Sequence, residues 1–412
     1  MKIIYIHQHF MTNRGAGGTR SYDVAKYMVK LGHEVHMICG VYDTSGIKRL
    51  PWYKLFREEV MDGIEVTVCN AFYSNEFGGL KRTWIFLWFA FLATIAAVRV
   101  RRPDLIFATS TPLTVGIPGY IASRLKRAPF VFEVRDIWPE SLILSGWVTG
   151  KELYIRLMTR LEAFCYRKAA KILLVSKGFE ERLIERGLKP EKLKTIPLGA
   201  DGNMFREVTP DSTFLDKQNL HNKTIAVYTG AHGKANGLDY IVEAAEHCRD
   251  REDIAYVLIG TGGEKEMLKE KAKAKRLNNV VFADAVPKEQ LPGILAVCHI
   301  GLMILKHIEG GRPVTPNKIF DYMFTGMPSI VNFEGPTIDM VRKHGCGVLA
   351  NGLSPEDLAE KTKMLTDNLE LREEMGREAK KAAWEKYDRK IIADQLVQTF
   401  EDVLAISRGG RK

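Results

Sequence analysis

The chain has 412 residues, 46% of them hydrophobic, which is enough for two domains with separate buried cores. A formal net charge of +10 points to an anionic partner, yet the basic residues are dispersed and no zinc-finger, RNA-recognition or helix-turn-helix signature is present, so no nucleic acid is expected. Cys39, Cys69, Cys165, Cys248, Cys298 and Cys346 are scattered, with neither a C-x-x-C pair nor metal-ligand spacing, which fits small apolar core residues in a reducing compartment.

From the N-terminus, residues 2–7 form an apolar run with no basic leader or cleavage site before it, so export is not expected. A glycine-rich turn follows at 15–20, then an amphipathic helix over 21–31 that ends at Gly32, then a strand over 33–39. Such β-loop-α-β units build parallel sheets. Short apolar runs at 104–108, 129–134 and 172–176 continue the pattern and predict one doubly wound α/β domain over 1–195. Within it, Trp84 to Val98 is the most hydrophobic window; at about 15 residues it falls short of the ~20 needed to cross a bilayer. Lys81 and Arg82 precede it, and Arg99, Arg101 and Arg102 follow. Aromatics beside cations suit an interfacial helix on anionic lipid, and an all-apolar run equally suits a helix buried under a sheet. Leu50 to Arg57 has the same aromatic and basic character, outside any strong strand or helix pattern.

Residues 196–222 read as an interdomain crossing and 223–387 as a second domain of the same architecture. Its strands are expected at 224–230, 255–259, 280–282, 300–305 and 329–332, with a helix over 238–247. Residues 388–412 carry a terminal amphipathic helix able to pack back on the first domain.

Open parallel sheets bind ligands beyond the carboxyl ends of their strands. In the first domain those ends carry His7, Gln8 and His9, the glycine loop with Arg20, Thr109 to Pro112, and Glu133 to Glu140. Asp136 and Arg135 either face an acceptor hydroxyl or phosphate or brace their loop as an ion pair, and His7 or His9 could act as a base. In the second domain they carry Gly230 to Gly237 with Lys234, Gly260 to Gly263, Asp284 to Pro287, and Glu309 to Lys318, a composition suited to a diphosphate. Neither glycine loop is a dinucleotide fingerprint, and Walker A, H-E-x-x-H and G-x-S-x-G patterns are missing, so ATPase, metalloprotease and serine hydrolase readings lose their main support. In Arg312 to Pro328, a polar loop opens a helix at Pro316, places Thr315, Asn317 and Lys318 at its start and Asp321 one turn in, and stops at Gly326. Free N–H groups and the positive helix end favour a phosphate there, Lys318 adds a mobile charge, and the Asp321 carboxylate can accept from a ribose. An ordinary capped helix would look the same.

Taken together these residues resemble the retaining family 4 glycosyltransferases of GT-B fold, over nearly the whole chain. The resemblance rests on Gly17-Gly18 before a helix that ends Gly32-His33, on Ile196-Pro197-Leu198-Gly199-Ala200-Asp201, and on Pro316-Asn317-Lys318-Ile319-Phe320-Asp321-Tyr322-Met323 with Gly326-Met327-Pro328. Arg135 to Ser141 looks like a bacterial surface-polysaccharide branch that moves amino sugars onto lipid-linked acceptors. Such a relative would have two Rossmann-like domains facing across a cleft. It would transfer a sugar, here an N-acetylated amino sugar, from a nucleoside diphosphate donor, UDP-linked, to a polyprenyl-diphosphate-linked or other lipid-linked acceptor, with retention and no divalent metal or cofactor. A soluble acceptor, or a binding subunit without turnover, is the alternative. The resemblance implies donor contacts at Gly17, Gly18, Gly230, Lys234, Val286, Thr315, Pro316, Asn317, Lys318 and Asp321, and acceptor contacts at Arg20, Arg135 and Asp136. Asp136, Lys234 and Glu309 are the expected catalytic residues. The family often has a first acid eight positions before Asp321; Pro313 stands there, leaving Glu309 as the substitute, and His232 stands where an arginine is usual. The expected location is the cytoplasm, peripherally on the inner face of an anionic cell membrane.

Overall fold

The computed structural model describes residues 1–74, 76–140 and 152–409. Ser141, the last residue of the Arg135 motif, lies outside them. The contacts divide the chain into two units: Met1–Pro197 with Arg389–Lys412, and Leu198–Asp388.

In the first unit β1 (Lys2–Ile6) leads through the glycine loop to the Arg20–Lys30 helix and back to β2 (Glu34–Tyr42), which pairs parallel with β1. Gly32, at φ 83°, takes the left-handed turn that lets His33 N–H close back on Met28. β3 (Phe56–Met61) and β4 (Ile64–Tyr73) then form an antiparallel hairpin that the sequence pattern did not predict. Its two-residue turn, Asp62-Gly63, has positive φ at both positions, 50° and 81°, as a turn matched to strand twist requires. β5 (Leu105–Thr109), β6 (Phe130–Val134), β7 (Lys171–Leu174) and β8 (Leu193–Thr195) complete an eight-stranded sheet in the order β3-β4-β2-β1-β5-β6-β7-β8. The Arg389–Gly409 helix inserts Ile392, Leu396, Phe400 and Leu404 into the core built by Ile3, Tyr5, Phe107 and Val131.

The apolar window is part of a longer helix, Gly79–Arg99, of 21 residues. That corrects the length argument, since by length and composition this helix is enough to cross a membrane. Ile85, Phe89, Leu92, Ala93 and Ala96 are buried, whereas Leu80, Trp84, Leu87 and Phe91 are exposed at steps of three and four residues. The helix is therefore apolar on both its packed and its open face.

The second unit has β9 (Thr224–Thr229), β10 (Ile254–Ile259), β11 (Val280–Ala283), β12 (Ile300–Met303), β13 (Ser329–Val331) and β14 (Gly347–Leu349), all parallel, in the order β11-β10-β9-β12-β13-β14. The order reverses direction between β9 and β12, the kind of switch point where open α/β sheets bind ligands. Of residues 196–222, read from sequence as a crossing, 198–222 belong to this unit: Ala200 N–H donates to the Tyr387 carbonyl and bridges Asp388, and Gly202 packs against Trp384.

Candidate functional site

Each carboxyl edge is described within its own unit. In the second unit, β9 ends at Gly230, whose φ of 139° admits no ordinary side chain and where an added Cβ would lie 3.1 Å from Lys318 Nζ. Lys318 opens the Lys318–Thr325 helix, and its ammonium sits 3.7 Å above the Tyr228 ring. Burial alone pulls the Lys318 pKa down to about 7, with no carboxylate among the described residues holding it up. The helix is anchored to β9 by the Tyr322 hydroxyl, which accepts from Thr229 N–H at 3.0 Å, and it stops at Gly326 with φ 80°. Two residues of the expected helix fall outside it. Pro316 precedes the start and has no N–H, so the donors that make no backbone bond among the described residues are those of Thr315, Asn317 and Lys318. The Asn317 side-chain oxygen is buried without a partner among the described residues.

The neighbouring strand ends are tied into one rim. Gly260 approaches so closely that a Cβ there would sit 1.9 Å from the Gly230 carbonyl oxygen. Lys265 Nζ donates to the carbonyls of Gly260 and Ala283 at 3.0 and 2.9 Å and pairs with Asp284 at 2.6 Å. His232 exchanges backbone bonds with Thr261 and Glu264, and both its buried ring nitrogens lack a partner among the described residues. Burial, then Lys265, Lys318 and Lys269, holds the ring down at about 4, so it is neutral and offers one N–H instead of an arginine's charge. Lys234 lies exposed on the same loop, and Val286 is half-buried on the loop after β11.

Asp321 corrects a further expectation. It is not an open carboxylate: Lys288 Nζ sits 2.5 Å from Oδ2, in a pair only 11% and 6% exposed. Sequence gave no sign of this partner, 33 residues away. Glu309 is exposed on a turn with Gly310 and Gly311, at φ 80° and 78°, beside a cavity of about 670 Å³ lined by Ile308, Asn332 and Gly352. No contact of Glu309 with Lys318 or Asp321 is present among the described residues.

In the first unit Arg20, expected to touch an acceptor, is instead a brace, 1% exposed. Its Nε and Nη2 donate to Glu133 Oε1 at 3.0 and 2.9 Å and its Nη1 to the Pro197 carbonyl at 2.6 Å. Arg135 is a brace too, with Nε on Glu133 Oε2 at 3.0 Å and Nη2 on Ser21 Oγ at 2.7 Å. Burial acts to raise the Glu133 pKa, but Arg20, Arg135 and the Thr109 hydroxyl outweigh it and hold the carboxyl at about 2. Both guanidiniums are thus spent on one buried carboxylate.

Asp136 is half-buried and accepts from Thr111 Oγ1 at 2.9 Å. Burial raises its pKa, with Thr111 and Arg135 opposing, which leaves a carboxylate of increased basicity. Beyond β1, His9 is boxed by the rings of Tyr42, Tyr73 and Phe86, with centroids 5.4, 4.6 and 6.1 Å away. Burial and Arg135 lower it to about 3, and burial with Arg135 and His9 lowers His7 as well, so both rings are neutral. Gln8 is fully buried, with both amide atoms unpartnered among the described residues. Gly17 and Gly18, expected as donor contacts, are exposed in this unit, just before the Arg20 helix, and so sit in a different unit from Lys318. Among the described residues no group of three His, Cys, Asp or Glu side chains is placed to hold a metal ion.

A family model described as a glycosyl transferase 4-like domain matches residues 15–199, and one described as glycosyl transferases group 1 matches 211–382. WcaI of Escherichia coli, named as a colanic acid biosynthesis glycosyl transferase, is 23% identical over 82% of this chain and 84% of its own. An alpha-D-kanosaminyltransferase of Streptomyces kanamyceticus is 21% identical over 69% of this chain and 73% of its own. Among solved structures, HepE of Anabaena in complex with UDP and glucose aligns with a TM-score of 0.71 and 20% identity, over 98% of this chain and all of that one. With one sheet all parallel and the other parallel except for its edge strand β3, and matches to the two models on the two units in turn, the chain belongs to the family 4 glycosyltransferases of GT-B fold.

Proposed function

We propose that this glycosyltransferase moves a hexosyl group, an N-acetylated amino sugar, from a UDP-linked donor to a lipid-linked saccharide, with retention, in surface polysaccharide assembly. The observation that carries the donor half is Lys318: a half-buried cation with no carboxylate beside it among the described residues, facing Gly230 at the start of a helix whose first N–H groups make no backbone bond among them. A partly desolvated charge without a counter-ion is costly, and a diphosphate would relieve it. The WcaI name supports a polysaccharide product, and the UDP in the HepE complex supports the donor base.

In the proposed reaction the anomeric C–O bond to the diphosphate breaks as the acceptor oxygen bonds to the same face. The acceptor proton passes to a phosphate oxygen of the leaving group. Lys318, Lys234 and the N–H groups of Thr315, Asn317 and Lys318 stabilise the charge that develops on the diphosphate, so no divalent metal is required. Asp136 and His9 lie on the acceptor unit, where Asp136 would orient the attacking hydroxyl.

The acceptor is proposed to be lipid-linked, with the enzyme peripheral on the cytoplasmic face of an anionic membrane. The stripe Leu80, Trp84, Leu87 and Phe91 supports this, as do Trp52 at 90% exposure and the exposed Leu153 and Leu157 on the Glu152–Lys168 helix. Lys54, Lys81, Arg101 and Arg102 supply the complementary charge. A binding subunit without turnover is the second reading, favoured by Pro313 in the acid's place and by Glu309 standing apart. Incubation with radiolabelled UDP-sugars and bacterial membrane lipids, with and without chelator, tests both. Chelator-resistant transfer to lipid supports the enzyme; UDP binding with no transfer or hydrolysis of any donor supports the subunit.

A further inference from the structure

The chain passes between the two units twice, at Pro197–Leu198 and at Asp388–Arg389, and inside the first unit both passages are tied to one turn of one helix. Arg20 Nη1 donates to the Pro197 carbonyl at 2.6 Å, just before the first passage. Asp23 Oδ2 pairs with Arg389 Nε at 3.4 Å, just after the second, in a pair only 1% and 3% exposed. Arg20 and Asp23 are three residues apart, so they share a face of the Arg20–Lys30 helix. In the second unit the same two stretches are bonded to each other, with Ala200 N–H donating to the Tyr387 carbonyl at 3.0 Å. The helix turn also has a link to solvent. Thr19 Oγ1 donates to Asp23 Oδ2 at 2.7 Å, and Thr19 follows Gly17 and Gly18, which are exposed. These glycines lie on the loop after β1, where the strand order of the first sheet reverses between β1 and β5. Neither charge stabilisation on a diphosphate nor orientation of an acceptor hydroxyl uses the Asp23 pair.

We propose that Asp23 is a positioning residue: with Arg20 it anchors both passages to the Arg20–Lys30 helix, so that the pivot of the chain is held by the helix that leads out of the glycine loop. Units joined by two stretches of chain move at those joints by default, and the joints are a few residues at the ends of elements, as Pro197 and Arg389 are. A buried ion pair resists displacement because parting it leaves an uncompensated charge. The kinetic consequence rests on the transfer reaction proposed above. A loose pivot shortens the time for which the reacting groups are aligned, and leaves the donor's own contacts within the second unit unaltered. The loop supplies control, since a ligand that shifts Gly17 or Gly18 pulls on Thr19 and through it on Asp23.

The test is hydrogen exchange of the full chain read by mass spectrometry, with transfer kinetics on the same samples. Asp23→Asn removes the charge and keeps the shape. It is expected to speed exchange of the Ala200 and Tyr387 amides by about tenfold or more beyond any change in β5, the effect of one lost bond between charged groups. Transfer of radiolabelled sugar from UDP to membrane lipid should lose about tenfold in kcat, with KM for the donor within about threefold of wild type. Thr19→Val cuts only the link to the loop and strands no charge, so it decides the matter should Asp23→Asn not fold. It is expected to move the same readouts the same way, by about threefold. Wild-type exchange at both amides in a folded variant would overturn the proposal, as would a rise no greater than that of β5, which marks a plain brace. Faster exchange at those amides with kcat unaltered would overturn the positioning role. No transfer by the wild type from any UDP-sugar would instead overturn the transfer reaction, and the exchange result alone would then decide the anchor.

Discussion

Arg20 and Lys318 are both shielded basic residues beside the carboxyl edge of a parallel sheet, and they differ in what each has found there. Arg20 meets Glu133 and the backbone of Ile196 and Pro197, so its bonding capacity is filled inside the protein. Lys318 meets an aromatic face and a glycine. A buried cation with its own carboxylate is committed inside the fold; one without a carboxylate strains the fold and, under the proposed function, is kept for the donor's diphosphate. By that criterion Arg135 falls with Arg20, and the sequence expectation that both read the acceptor is replaced by a structural one.

The sharpest way to break the comparison is to remove each cation. Arg20→Met strands Glu133 as a buried charge with only Arg135 left, and is expected to cost about 3–5 kcal/mol in urea unfolding. Lys318→Met removes a charge that had no partner, so stability should hold or rise, while UDP binding should weaken by about tenfold to a hundredfold in calorimetry. Lys234, exposed on its loop, is a milder case: Lys234→Ala should weaken UDP binding by less than about fivefold at physiological salt.

Acidity sharpens the same contrast. Glu133 is held at about 2, below its ordinary 4.5, so its contribution to stability is present above about 4.5 and is lost as pH falls towards 2. Lys318 contributes a penalty instead, although its pH slope has the same sign. Its folded value of about 7 lies below the ordinary 10.5, so between those values the unfolded chain binds more protons and stability rises with pH; below about 7 the full penalty is felt. Urea titrations from acid to alkaline pH, repeated on Lys318→Met, should show the alkaline rise in the wild type only.

Much of this was legible in the sequence because it depends on near neighbours. Gly326 as a helix stop, the glycine turn at Gly230 and the alternation of strands and helices need only local patterns. The β3–β4 hairpin was legible too and was passed over. Asp62-Gly63 is a strong turn signal, masked by the charges of Arg57, Glu58 and Glu59 on an edge strand. The Arg20 pairing was not legible, because Glu133 is 113 residues away and meets it only once β1, β5 and β6 stand side by side. Lys288 and Asp321 meet for the same topological reason. The Gly79–Arg99 helix outran its apolar run because its first turn, Gly79 to Arg82, carries polar residues that a hydrophobic window cannot count.

The measurement that most directly tests Lys318 as an unpaired cation awaiting an anion is the proton balance of UDP binding at pH 8. It is obtained by calorimetry in two buffers of different ionisation enthalpy. A lysine of pKa about 7 is mostly neutral there and must charge when a diphosphate binds, so wild type is expected to take up about one proton and Lys318→Met close to none. Tight UDP binding by the wild type with no proton uptake, or the same uptake in both proteins, would contradict it.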